Sequence, residues 1–97
     1  MIEREAAIER KLVELVERQG GYCPKWTSPG NAGVPDRICL LPGGVIIFVE
    51  LKRPSGGVTS SRQKGWAKRL TRLGFKHYFI KDEQGLALLA EEHGWVL

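Results

Sequence analysis

Apolar residues at Ile8, Leu12, Val13, Leu15 and Val16, with charged residues between them, recur at the helical period and predict a helix over residues 2–19. Gly20-Gly21 ends it. Tyr22–Trp26 is short and mixed, a candidate first strand, and the polar, turn-rich Thr27–Gly33 predicts a surface loop of the kind that borders sites. Asp36–Leu41 and Val45–Lys52 read as two strands joined through Pro42-Gly43-Gly44 into a hairpin. Val45-Ile46-Ile47-Phe48-Val49 is apolar on both faces, which puts this strand at the centre of a sheet covered by helices. Ser60 then opens a helix running to Leu73, with Trp66, Leu70 and Leu73 on its inner face, and Gly74 closes it. Phe75–Ile80 is a further strand, Asp82 caps a helix to about Glu92, and Trp95-Val96-Leu97 is a last short extended segment. The resulting α-β-β-β-α-β order, followed by that final helix, predicts an α/β sandwich with a mixed central sheet and a strand-helix-strand crossover of right-handed sense.

The 97 residues suit a single domain, residues 1–97, with a modest core: a chain this size buries about 60–65% of its extended surface, and a partner subunit would add to that. There are 15 Lys+Arg against 11 Asp+Glu, and the excess is concentrated: Arg53, Arg62, Lys64, Lys68, Arg69, Arg72, Lys76 and Lys81 follow one another with no acid between Glu50 and Asp82. Such asymmetry favours a polyanionic partner, although a solvated helix face has the same signature. Cys23 and Cys39 lack the spacing of a zinc site or a disulfide framework and read as buried apolar residues of a reducing compartment. With neither a signal-like apolar stretch nor a run long enough to span a membrane, the expectation is a soluble, cytoplasmic protein of a bacterial or phage-infected cell.

The candidate chemistry lies where the hairpin strands begin and end. Side chains alternate along a strand, so Glu50 and Lys52 share a face, about 7 Å apart along the strand, and continue the stripe of Ile46 and Phe48. Charges entering an apolar stripe cost free energy unless paired or bound to metal. Pro35 fixes the backbone ahead of Asp36, and antiparallel pairing brings Asp36 alongside Glu50. Two converging carboxylates, with the Leu51 carbonyl as a further ligand, suit Mg²⁺ or Mn²⁺, which prefer oxygen donors. Lys52 is then placed to orient or deprotonate a water, or to stabilise charge on a phosphate. Glu-x-Lys alone is usually an ordinary ion pair of an exposed strand; here the strand is too apolar to be an exposed edge, and Pro-Asp precedes it at hairpin distance.

These stretches resemble the VRR-NUC branch of the PD-(D/E)xK nuclease superfamily: Lys25–Arg37 with its Gly33-Val34-Pro35-Asp36, Phe48–Pro54 with its Glu50-Leu51-Lys52, then Gln63 and Trp66. The resemblance runs from the first helix to about Ile80. It implies a restriction-endonuclease-like fold and core roles for Asp36, Glu50 and Lys52. It adds an acid from the first helix to the metal site, for which Glu5 is preferred over Glu9, and places Gln63 beside the active site. Ser60-Ser61-Arg62-Gln63 is equally a capping box, a structural role compatible with the other. Lys25, Arg37, Arg53, Arg62 and Lys64 are candidate phosphate contacts, any of which is alternatively a plain surface charge. Trp66 reads as core, and His77 and His93 are assigned no role. Stand-alone family members imply a homodimeric, metal-dependent endonuclease acting on branched DNA, first among its substrates the four-way Holliday junction. Cutting of flaps or other branched DNA, and a non-catalytic DNA-binding module of the same fold, are the alternatives.

Overall fold

The computed structural model describes residues 4–96; Ile2 and Glu3 of the expected first helix and Leu97 of the expected last segment lie outside them. The chain runs α1 (Arg4–Arg18), β1 (Arg37–Leu41), β2 (Val45–Leu51), α2 (Ser61–Arg72), β3 (Lys76–Ile80) and α3 (Glu83–His93). β2 is the middle strand of three, antiparallel to β1 and parallel to β3. Its apolar character requires that place: every residue from Ile47 to Leu51 is buried. The β1–β2 hairpin closes at the Leu41–Val45 pair, and Gly43 and Gly44, at φ of 83° and 77°, make a turn that a side chain would strain.

Residues paired in register share a face of the sheet, which divides β2 into two environments. On one face Ile47, Val49 and Leu51 join Cys39, Leu41 and Ile80 and meet Ile8, Leu12, Leu15 and Val16 of α1 and Leu86, Leu89 and Ala90 of α3. This is the main core. On the other face Phe48 touches the rings of Trp26 and Phe75 at centroid distances of 5.5 and 5.4 Å, and Trp66 meets Trp26 edge-on at 5.7 Å. α2 lies over this aromatic layer with Leu70 buried.

Three segments depart from the expected pattern. Tyr22–Trp26 is no continuous strand: it pairs with β1 only through isolated bridges, Tyr22–Leu40 and Lys25–Arg37. Pro24 is the reason. Its carbonyl accepts from Ile38 N at 3.0 Å, but it has no N–H to return, so one rung of the ladder is missing. Leu73, expected inside, is the C-cap of α2 and 64% exposed, because the chain leaves the helical path there. Gly94, left-handed at φ 69°, ends α3, after which Trp95 packs against the core and Val96 points outward, neither extending the sheet. No helix among the described residues is long and apolar enough to cross a membrane.

Candidate active site

Asp36 stands one residue before β1, and the register that pairs Arg37 with Val49 sets it opposite Glu50 on the aromatic face. The buried ring of Pro35 anchors it there. Its Oδ2 accepts from the Leu51 amide at 2.7 Å, locking the carboxylate against the end of β2. Glu50 is only 4% exposed, the one buried charged residue among those described. Its Oε2 accepts from Gln63 Nε2 at 2.6 Å and lies 3.6 Å from Lys52 Nζ. Its Oε1 is buried without any hydrogen-bond partner. Burial first, then the charge of Asp36 and more weakly that of Glu5, push the Glu50 carboxyl from 4.5 up to about 7, against the pull of Lys52.

Lys52 follows the last residue of β2 and is pinned by its backbone, whose N–H donates to Ile80 O at 2.9 Å. Its ammonium donates to Val58 O at 2.8 Å and to Gln63 Oε1. Gln63 therefore bridges the acid and the base. The same side chain completes the capping box of α2: its Oε1 accepts from Ser60 N at 3.0 Å, while its own backbone N–H donates to Ser60 Oγ at 3.1 Å. The capping box and the contacts to Glu50 and Lys52 coexist in one conformation, so the start of α2 and the arrangement of Glu50 and Lys52 are mechanically one unit.

A buried carboxylate oxygen with no donor, beside a second carboxylate that raises its pKa, is a position that a cation would relieve. The donor set is oxygen throughout, in keeping with Mg²⁺ or Mn²⁺. Among the described residues no three acidic, cysteine or histidine side chains gather into a metal cluster. Asp36 and Glu50 are thus the close pair, and the remainder of a metal's shell falls to backbone, water and substrate oxygens. Glu5 is near enough to raise Glu50 but does not close on the pair, and Glu9 is turned to Arg37, with which it pairs at 2.9 Å.

The anticipated phosphate contacts divide. Arg62 and Lys64 are exposed on the first turns of α2 next to Gln63, and Arg53 is exposed in the turn after β2, where it donates to Gly56 O at 3.2 Å. Lys25 is exposed on the segment beside β1. Arg37 is not brought to the site: one position along from Asp36, it points to the opposite face, where it holds Glu9 and donates to Cys23 O at 2.7 Å. One contributor had no signal in the sequence: the Val58 carbonyl that holds Lys52 is a backbone atom of an irregular loop. Trp26, within the Lys25–Arg37 stretch, is part of the floor under Phe48 from outside any regular element. His77, paired with Phe48 in register, lies against Phe79 with the rings tilted, and His93 lies between Tyr78 and Trp95; neither is hydrogen-bonded to Asp36, Glu50, Lys52 or Gln63.

No protein-family model matches the chain. It is 44% identical over 84 residues to "Putative nuclease p44" of Acyrthosiphon pisum secondary endosymbiont phage 1, a match covering 87% of this chain and 88% of that protein. A solved structure described as a VRR_NUC domain superposes with a TM-score of 0.84 at 27% identity, over 97% of this chain and 100% of the other. The chain belongs to the VRR-NUC nucleases. Within that family's α/β fold, Asp36, Glu50, Lys52 and Gln63 gather where the aromatic face of the sheet ends, and they form the candidate nuclease centre.

Proposed function

We propose that the protein is a metal-dependent, structure-specific DNA endonuclease, acting as a homodimer on four-way Holliday junctions. The observation that carries the reading is the buried, partnerless Oε1 of Glu50 facing a site that also holds Asp36 and Lys52. Asp36 and Glu50, with the Leu51 carbonyl, would hold Mg²⁺ or Mn²⁺, and Glu5 would join through the outer shell. The bound ion supplies a water of lowered pKa and positive charge against the scissile phosphate. Asp36 acts as a fixed ligand, since the Leu51 amide holds its other oxygen. Glu50 must give up a proton held to about 7 before it can serve, which ties its availability to pH. Lys52 is oriented as a donor by Val58 and Gln63, an arrangement that favours stabilising negative charge on the phosphate. Gln63 keeps acid and ammonium in register. Arg53, Arg62 and Lys64, exposed on the segments next to Lys52 and Gln63, would neutralise flanking phosphates, with Lys25 further along the same substrate.

Dimerisation is favoured by the size of the sheet and its open side. β3 has no partner on its outer edge among the described residues, and Phe79 within it and Leu73 just before it are exposed. A two-fold pair would offer two sites to the symmetric strands of a junction. The test is a cleavage panel of junction, flap and plain duplex with Mg²⁺, Mn²⁺ or chelator. Junction nicking that disappears with chelator and in Asp36→Ala, Glu50→Gln and Lys52→Ala is the expected result. Cutting that survives all three substitutions removes this site from the chemistry.

A further inference from the structure

Beside the active site, a shallow recess of about 370 Å³ lies between the Thr27–Gly33 loop and α2, with Asn31, Arg62, Gly65, Trp66 and Arg69 in its lining. Four features set it apart from an ordinary solvated helix face. Gly65 sits in the middle of α2 at a position where an added Cβ would meet nothing within 4 Å. Packing therefore does not require glycine there, although a helix-interior glycine is less stable than alanine. Arg69 is held with its guanidinium carbon 4.6 Å over the Trp66 ring, a cation–π contact that uses none of its N–H donors in a hydrogen bond to an acceptor. Among the described residues neither Arg62 nor Arg69 is in an ion pair, and α2 contains no acid at all. The loop wall is preformed: Gly33, at φ 91°, lies so close to α2 that a Cβ would fall 2.7 Å from the Arg62 backbone carbon, and Asn31 donates to Ser28 Oγ at 3.0 Å.

We propose that this recess seats the sugar-phosphate backbone of the DNA strand adjoining the scissile phosphate, with Arg62 and Arg69 each donating to a phosphate and Gly65 admitting the backbone against the helix. This rests on the DNA-nuclease reading above and adds a strand path to it. Arg62 and Arg69 are two helical turns apart, about 10 Å, which is farther than neighbouring phosphates of one strand lie from each other, so the two guanidinium groups reach different phosphates. Gln63, on the same first turn as Arg62, touches Glu50 and Lys52, so a strand lying in the recess leads directly to the cut. Trp66 is the positioning residue: it rests on Trp26, itself against Phe48, and so fixes the Arg69 donors to the same sheet that carries the carboxylates.

The test is equilibrium binding, without turnover, of a fluorescently labelled four-way junction and of one of its single strands, in chelator across a salt series, with thermal unfolding of each variant in parallel. Arg62→Ala and Arg69→Ala are each expected to lower the slope of log Kd against log salt by about one. Arg69→Lys restores the slope but not the affinity, because lysine lacks the stacked planar fork. Gly65→Ala is expected to raise the melting temperature while weakening binding, a pair of opposite signs that a purely structural glycine would not produce. Unchanged slopes in both alanine variants, or full affinity in Gly65→Ala, overturn the recess and leave the nuclease reading standing. A parent protein that binds neither DNA and yields no products in the cleavage panel overturns the DNA-nuclease reading itself.

Discussion

The two faces of β2 solve opposite problems with one strand. Ile47, Val49 and Leu51 are buried among aliphatic side chains of α1 and α3, and each contributes to stability by leaving water. Glu50, between Val49 and Leu51 in sequence and nearly as buried, carries a carboxyl that the surroundings would rather keep protonated. One face is built for the folded state alone. The other holds a charge at the fold's expense, and that cost marks the candidate site more sharply than exposure does, since Glu50 is hidden from solvent.

The strongest way to break this contrast is to mutate both faces. Ile47→Ala should destabilise the protein by about 2–5 kcal/mol in urea unfolding, with cutting reduced only as far as the folded fraction falls. Glu50→Gln should abolish cutting, by about a thousandfold or more, yet stabilise the fold above pH 7. The sign follows from the proton balance. The folded state holds the Glu50 proton to about 7 and the unfolded chain only to 4.5, so stability falls as pH rises between those values and is flat above them. The full effect is up to about 3 kcal/mol, and Glu50→Gln should remove that slope. Destabilisation by Glu50→Gln would show that the two faces are not opposed.

pH sharpens the same contrast. At limiting Mg²⁺, cleavage by the parent should decline as pH drops through about 7, and the midpoint should move lower as Mg²⁺ is raised, because metal and proton compete for Glu50. A pH–rate profile unmoved by metal concentration would argue that Glu50 does not bind it. Gln63→Ala should cost about 1 kcal/mol through the lost cap and slow cutting about ten- to a hundredfold through the loosened Glu50 and Lys52. Urea unfolding and single-turnover kinetics read the two losses separately. The smallest effect belongs to Arg37→Ala, which should lower stability by about 1 kcal/mol while leaving the salt slope of DNA binding unchanged, since Arg37 lies on the core face.

Much of this was legible in the sequence because β-structure is strict about alternation. The all-apolar Val45–Val49 run marked the central strand, and period two put Glu50 and Lys52 on one face with Asp36 opposite. The same rule should have separated Arg37 from Asp36, its neighbour, and the structure enforces it. Other features depend on what does not repeat. The missing rung at Pro24 follows from a single absent N–H, and Leu73 lies at the end of α2, where helical periodicity no longer says where a side chain points. Nothing in residue identity marks the Val58 carbonyl as the partner of Lys52, because every residue carries a carbonyl and only the path of the loop selects one.

Arg37, turned to the face opposite Asp36, has a consequence at the rim of the sheet. In the outermost segment the carbonyls of Tyr22 and Pro24 turn inward to β1, so that of Cys23, between them, turns outward, where a strand from another molecule could begin to zip on. The Arg37 guanidinium occupies that acceptor and is itself anchored by Glu9. The acceptor at this rim is thereby already taken by a residue whose neighbour in the chain faces Glu50, which makes the rim a poorer template for another strand.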